Sequence, residues 1–293
     1  MTTQILSIPD SSKSRARTGK MSAGGLALPA LIALGVFFIY PLALIVWLSF
    51  TSPEIGLGHY ISLFTDGVTV TVMLRTLAVG LIVGVATLII GYPYAYSMTV
   101  VSPAWRTVMM TMVMLPFWVN IIARTFAWFI LQNRGGPIDQ FFQALGIEGV
   151  VLLNTWGGVA VAMVQVMLPF MVLPLYNQMS TIDRGLVKAS ASLGAKPITS
   201  FRKVYLPLSL TGVVSGFSLV FVVTLGFYIT PALLGSPDQA LLSQIIATRV
   251  QRLLDFPGAG AAGMLLLVVT LVILGVVNWL VRQANPLMKR GKS

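Results

Sequence analysis

The sequence predicts an all-α integral membrane protein of six transmembrane helices, with a long cytoplasmic segment between the fourth and fifth. Three observations carry this reading. Of 293 residues, 56% are hydrophobic and 9% charged, whereas ordinary soluble domains carry roughly 25% charged residues. The mean hydropathy is +0.88. The apolar residues gather in long runs, each near the ~20 residues that cross a hydrocarbon core. So little charge cannot cover a soluble globule, and disorder needs low hydrophobicity.

Residues 1–25 form a polar cytoplasmic tail with Lys13, Arg15, Arg17 and Lys20. The apolar run 26–50 exceeds the 7–15 residues of a cleaved signal core, so it is read as an uncleaved first span. Pro41 is expected to kink it. The other spans fall at about 76–98, 107–131, 156–178, 208–234 and 261–281, so the transmembrane domain covers 26–281. Pro169 and Pro174 are expected to break regular helix in the fourth span. Tyr228, Thr230 and Pro231 are expected to end the fifth near the outer face. Trp47, Trp105, Trp156 and Trp279 stand at span ends, where aromatic residues anchor a helix at the interface. Residues 282–293 form a cytoplasmic C-terminal tail.

Orientation follows from lysine and arginine. With the N-terminus inside, the cytoplasmic side holds the four basic residues of the tail, Arg106, the loop residues Arg184, Lys188, Lys196, Arg202 and Lys203, and the C-terminal Arg282, Lys289, Arg290 and Lys292. Outside stand Arg75, Arg134, Arg249 and Arg252. Fourteen against four places both termini in the cytoplasm. Of the eight acidic residues, Glu54, Asp66, Asp139, Glu148, Asp238 and Asp255 fall outside. The net charge of +11 thus reads as membrane orientation and not as nucleic-acid binding.

Several chemistries are excluded. There is no cysteine, hence no disulfide or thiol nucleophile. The one histidine, His59, lacks partners for a metal site and reads as a solvated or docking loop residue. Asp139 and Glu148 are too isolated for paired-carboxylate catalysis. No Gly-x-x-x-x-Gly-Lys-Ser/Thr loop is present, so the chain is not an ATPase.

The cytoplasmic segment 179–207 is the most informative. Leu186 to Leu193 is a short helix of good helix formers and small residues. Gly194 suits the left-handed position at a helix C-terminus. Pro197 is tolerated in a first helical turn, and Leu206-Pro207 marks where the chain enters the membrane.

Ala189, Gly194 and Leu206-Pro207 stand at the spacing of the EAA loop of type I ABC importer permeases, and the chain resembles that family. Its pattern is Glu-Ala-Ala, a glycine a few residues on, then an aliphatic-x-Leu-Pro. Here Lys188 stands where the family usually has Glu, and Ser190 replaces an alanine. Three further stretches resemble the first membrane subunit of spermidine/putrescine-type permeases. They are Leu115–Trp118 with Ile122–Trp128, Leu168–Tyr176, and Gly226–Gly235. Together with the loop they span residues 76–260.

The resemblance implies the type I importer permease fold and a coupling helix that fits a cleft on an ATP-binding subunit. The residues implied in coupling are Leu186, Lys188, Ala189, Ser190, Ala191, Leu193, Gly194, Ala195, Pro197, Leu206 and Pro207. It implies a bacterial cytoplasmic membrane, a second permease, two ATP-binding subunits and an extracytoplasmic solute-binding protein that meets segments 51–75, 132–155 and 235–260. ATP and Mg then belong to the partner subunits, and this chain needs no cofactor. The implied solute is a polyamine or a related amine or amino-acid-like compound. An opine, a phosphonate or a ferric complex is the alternative.

A pathway needs polar groups facing a cavity, because they are costly against lipid. The third span offers Phe117, Trp118, Asn120 and Arg124, with Asn120 and Arg124 four apart on one helix face. The fourth offers Gln165, Pro169 and Phe170, and the fifth Tyr228 and Thr230. Arg124 either snorkels or pairs within the protein near the outer end, or it lines the path. Gln165 either bonds across helices or does the same. No acid falls within a span, which suits an anionic or zwitterionic solute at least as well as a polycation. It also argues against an ion-coupled secondary transporter, which needs an ionisable relay.

Overall fold

The computed structural model describes residues 29, 31–52 and 55–284. The readings on tail 1–25, on Glu54 and on Lys289, Arg290 and Lys292 lie outside the described residues. Two compact units are distinguished, Met1–Ile45 and Val46–Ser293. Among the described residues every element of regular secondary structure is a helix.

Helix α1 runs Leu31–Thr51. Its stretch Gly35–Ile39 is wound as a π-helix directly before Tyr40-Pro41. Pro41 lacks an N–H and its ring crowds the preceding turn, and a π-bulge is one way a helix absorbs that misfit. The same device recurs in the second unit, where the π stretch Phe201–Tyr205 precedes Leu206-Pro207.

In the second unit α2 covers Gly58–Thr65 and α3 covers Gly67–Val100. Ser49 meets Tyr60 Oη at 2.8 Å, and the rings of Phe50 and Tyr60 stack at 4.8 Å. His59 Nε2 lies 2.7 Å from the Ser52 carbonyl, so its ring fastens the turn into α2. Asp66 caps α3 by accepting from the N–H groups of Val68 and Thr69. With 34 residues, α3 is longer than one membrane crossing requires. It begins at Gly67, where hydropathy alone places the span at 76.

Helices α4 (Pro103–Trp118) and α5 (Ile121–Gln132) come next, followed by α6 (Pro137–Ala144). The sequence reads 107–131 as one span, with Asn120 and Arg124 on one face of it. The structure instead breaks this segment at Val119-Asn120, with the pair bent by 95°. Asn120 leaves the helix to become the N-cap of α5, accepting from Ile122 N and Ala123 N. Asparagine is among the strongest N-caps, and the extended backbone of Val119 (ψ 131°) makes the corner.

Helix α7 (Trp156–Ser180) stays continuous through Pro169 and Pro174, contrary to the break expected there. Prolines persist in membrane helices where neighbouring elements accommodate the freed carbonyls. Helix α8 is Arg184–Ser192, α9 is Pro197–Gly226 and α10 is Ile229–Leu234. Helix α11 is Leu242–Thr248, continued by a π stretch Arg249–Leu253, and α12 is Phe256–Ala284. Among the described residues, α1, α3, α7, α9 and α12 are each long and apolar enough to cross a membrane. The bent α4–α5–α6 segment makes up to six.

The core is the mutual packing of α3, α7 and α9. Apolar side chains gain little by leaving lipid for one another, so membrane helices associate through close backbone approach. Each pair here has glycines at the contact. On α3, Gly80 and Gly84 face Phe221, Leu225 and Phe217 of α9, and Gly91 faces Met171 and Val172 of α7. On α9, Gly212 and Gly216 face Gln178, Pro174 and Met171 of α7. Both Gly80–Gly84 and Gly212–Gly216 are Gly-x-x-x-Gly pairs, the spacing that lets two helices meet closely. Met163, Met167, Met171, Leu175 and Met179 form the fully buried stripe of α7. Hydrogen bonds add Tyr92 to Ser209 at 2.9 Å and Gln132 Nε2 to the Gly158 carbonyl at 2.9 Å. Such bonds average about 0.6 kcal/mol in membranes, so packing carries most of the association.

Candidate functional site

The segment between α7 and α9 is a helix, a turn and a second helix. Asp183 caps α8 by accepting from Gly185 N at 2.8 Å. The helix ends at Leu193, and Gly194 takes φ +82°. Gly194 N–H donates to the Ala191 carbonyl at 2.9 Å and Ala195 N–H to that of Ser190 at 3.1 Å. These two bonds are the Schellman closure, which needs a left-handed residue at this position. Pro197 then opens α9.

Ser190 Oγ donates to Ser200 Oγ at 2.7 Å, tying the two arms of the turn. The outward surface carries Leu186 (48% exposed), Leu193 (88%) and Ile198 (63%), together with exposed Lys188, Ala189 and Ala191. Ala195, Leu206 and Pro207 are half-buried. This is an apolar tip flanked by small residues, projecting from a rigid turn.

The tip is fastened to the core. The Arg184 guanidinium donates to the Thr99 carbonyl in the last turn of α3. From the start of α4, Arg106 Nε reaches the Met98 carbonyl at 3.1 Å. Both cations meet the unpaired carbonyl end of α3, where the helix dipole favours positive charge. The sequence shows Arg184 only as one more basic residue, because its link to Thr99 is non-local.

At the α4–α5 corner lies a cavity of about 520 Å³. It is lined by Phe117, Trp118, Asn120 and Arg124, by Val166 and Phe170 of α7, and by Val223 and Phe227 around the end of α9. Five of the nine residues picked from sequence for a pathway therefore meet here. Phe117 and Phe170 pack edge to face at 5.1 Å, and Trp118 is 88% exposed.

Arg124 donates to the Pro116 carbonyl at 2.6 Å, a group the break has freed from its helical partner. Its Nε is buried without a partner. Arg124 thus both pairs within the protein and lines the cavity. The described residues lining it include no acid.

The other candidates lie elsewhere. Gln165 Oε1 accepts from Trp128 Nε1 at 2.6 Å, a bond between helices. Pro169 is buried. Thr230 is buried, and its Oγ1 has no partner. Tyr228 belongs to a second cavity of about 1160 Å³, shared with Asp66, Arg75, Arg249 and Arg252. Here Arg75 donates to the Asp238 carbonyl at 2.8 Å, and Arg249 pairs with Asp255 at 3.2 Å. The Thr69 hydroxyl, followed by the Val68 N–H, holds the Asp66 carboxyl below its ordinary value of 3.8. Val223 and Phe227 were missed from sequence, since nothing separates an apolar residue facing a cavity from one facing lipid. No group of three or more His, Asp or Glu side chains among the described residues is placed to hold a metal ion.

The comparisons agree with this architecture. The model of a family described as binding-protein-dependent transport system inner membrane component matches residues 87–290. The chain is 28% identical over 233 residues to the spermidine/putrescine transport system permease protein PotB of Escherichia coli (strain K12), covering 79% of this chain and 84% of that one. It is 31% identical over 235 residues to the inner membrane ABC transporter permease protein YdcU of the same strain, covering 72% and 75%. Its fold is similar to a chain in the crystal structure of a bacterial ABC transporter involved in the import of the acidic polysaccharide alginate. That match has TM-score 0.67 and 20% identity, and covers 89% and 94% of the two chains. An all-helical membrane protein with this loop, matched by the family model over most of its length, belongs to the binding-protein-dependent transport system inner membrane components, the permease subunits of ABC importers.

Proposed function

We propose that this chain is one of two permease subunits in an importer that moves a small polar organic solute inward by ATP-driven alternating access. One observation carries the reading: the turn that exposes Leu186 and Leu193 is joined by Arg184 to the end of α3. Helix α3 packs on α7, and α7 supplies Val166 and Phe170 to the cavity at the α4–α5 corner. A push on α8 therefore has a rigid route to the cavity.

In this reading α8 sits in a cleft of an ATP-binding subunit, one such subunit serving each permease. ATP closes the nucleotide-binding pair, α8 moves with it, and the spans rearrange around the cavity. ATP and Mg are held by those partners. The turn faces the cytoplasm, and the segments 51–75, 132–155 and 235–260 face a solute-binding protein on the other side.

The similarity to PotB supports a polyamine or related amine as the solute. Phe117, Trp118, Phe170 and Phe227 offer ring faces, each worth about 0.5–2 kcal/mol to a cation, and the companion permease then supplies carboxylates. Arg124 at a cavity whose described lining includes no acid favours a second reading, a carboxylate- or phosphonate-bearing solute. Uptake in a strain deleted for this gene decides between them. Loss of labelled putrescine or spermidine uptake alone supports the first. Loss of an anionic or zwitterionic solute alone supports the second. Unchanged uptake of every solute contradicts both.

A further inference from the structure

We infer that the cavity between α8 and the adjoining parts of α3 and α9 is a binding site for a phosphate-bearing anion, with Lys188 and Arg184 as its cations. The site needs no ATP-binding subunit, so it stands apart from the coupling role proposed for α8.

The cavity measures about 370 Å³, within the roughly 300–1,000 Å³ of small-ligand sites, which pair apolar walls with a few placed polar groups. Arg184, Val187, Lys188 and Ala191 of α8 form one wall, at the three- and four-residue spacing that shares a helix face. Tyr96, Phe201 and Tyr205 form the other. Tyr96 stands edge-on to Phe201 at 6.2 Å and to Tyr205 at 5.2 Å. Leu186 and Leu193 do not line it, so an occupant leaves the apolar tip free.

The described lining has two cations and no acid. Two cations four residues apart repel, and an anion beside them relieves that. Lys188 is exposed and forms no ion pair among the described residues. Arg184 donates to the Thr99 carbonyl, but a guanidinium carries five N–H groups, and that bond uses only part of them. The single acid of segment 179–207, Asp183, caps α8.

Tyr205 is an independent sign of a ligand. It is 6% exposed, and its buried hydroxyl, beside Thr99, completes no hydrogen bond of good geometry. An unpaired buried donor is costly, and an anion in the cavity would accept from it. Donors on both walls suit an anion with several acceptor oxygens, as a phosphate has.

Tyr205 directly precedes Leu206-Pro207, and Thr99 and Val100 end α3. The cavity thus stands where two spanning helices leave their apolar stretches. Lipid headgroups lie at that level, tyrosine is enriched there, and basic pockets between membrane helices hold headgroup phosphates. An anionic lipid and free phosphate are the two sources of this chemistry.

Lys188→Gln removes the exposed cation without removing an ion pair of the fold. The full-length protein in neutral detergent is titrated with phosphatidylglycerol, with inorganic phosphate, and with phosphatidylcholine as the neutral control. A ligand of the folded state raises the thermal midpoint by mass action. Phosphatidylglycerol or inorganic phosphate is expected to raise it, and the one that does so identifies the source. Lys188→Gln should need at least about tenfold more of that anion for the same rise, whereas Lys188→Arg responds like wild type. Lys203 is exposed in the same segment and does not line the cavity, so Lys203→Gln should also respond like wild type. No rise with either anion, or a rise that phosphatidylcholine matches, overturns the inference. Equal losses in Lys188→Gln and Lys203→Gln overturn it as well, because diffuse surface charge would then hold the anion.

Discussion

The Arg184 guanidinium donates to the Thr99 carbonyl, joining the exposed helix α8 to the last turn of α3 across 85 residues of sequence. A guanidinium is planar and permanently charged, and an ammonium does not reproduce its fork of donors. The bond lies between the proposed docking tip and the packed core.

Arg184→Ala is therefore expected to leave membrane insertion and ATPase retention intact while separating ATP hydrolysis from transport. Hydrolysis continues, and solute imported per ATP falls at least about tenfold, a loss of about 1.4 kcal/mol in coupling. Arg184→Lys recovers only part of it. Parallel measurement of phosphate release and uptake in proteoliposomes checks this, and an unchanged ratio in Arg184→Ala removes Arg184 from the route.

The contact of α7 with α9 depends on Gly212. A Cβ there would stand 2.7 Å from Gln178 Cβ and 3.2 Å from the Pro174 carbonyl, atoms held close to the backbone of α7. Gly212→Leu is expected to cost about 1–3 kcal/mol, the usual range for overpacking. Gly275→Leu, where nothing lies within 4 Å, should cost far less. Thermal unfolding of the detergent-solubilised protein reads the difference, and equal melting temperatures would show that α7 and α9 do not meet this closely.

Which features were legible in the sequence follows from how local their causes are. The turn at Gly194 was legible because a left-handed residue and a following proline are written within a few positions. The continuity of α7 was not, since Pro169 and Pro174 look like breakers until the helices around them are known. The corner at Val119-Asn120 had a local signal, an asparagine suited to capping a helix after Pro116, that the apolar run concealed. Phe117, Trp118, Asn120, Arg124 and Phe170 were found by polarity and aromatic character. Val223 and Phe227 carry no such mark and reach the cavity only through the packing of α9.

The cap of α3 gives a pH dependence. The Thr69 hydroxyl and the Val68 N–H bond the ionised Asp66 carboxylate and hold its pKa below 3.8. A depressed folded-state value means that the stabilisation is complete above 3.8 and is lost as pH falls through the folded value. Asp66→Ala is expected to melt below wild type at neutral pH, and the gap should close only under more acidic conditions than 3.8. Asp66→Asn keeps a capping oxygen and should lie between the two without that pH dependence. Melting curves across the acid range check both expectations.

Gly194 bears most directly on the central claim, that the turn after α8 couples this permease to its ATPase. A Cβ at Gly194 would meet nothing within 4 Å, so a substitution strains only the left-handed backbone, at roughly 1–2 kcal/mol. That is too little to unfold the helical core, yet it re-aims the Leu193 tip. The measurement is ATP-dependent uptake by the complete transporter in proteoliposomes, with membrane insertion followed alongside. The account predicts that Gly194→Asp inserts like wild type and abolishes uptake. Normal transport by Gly194→Asp would contradict the coupling assignment.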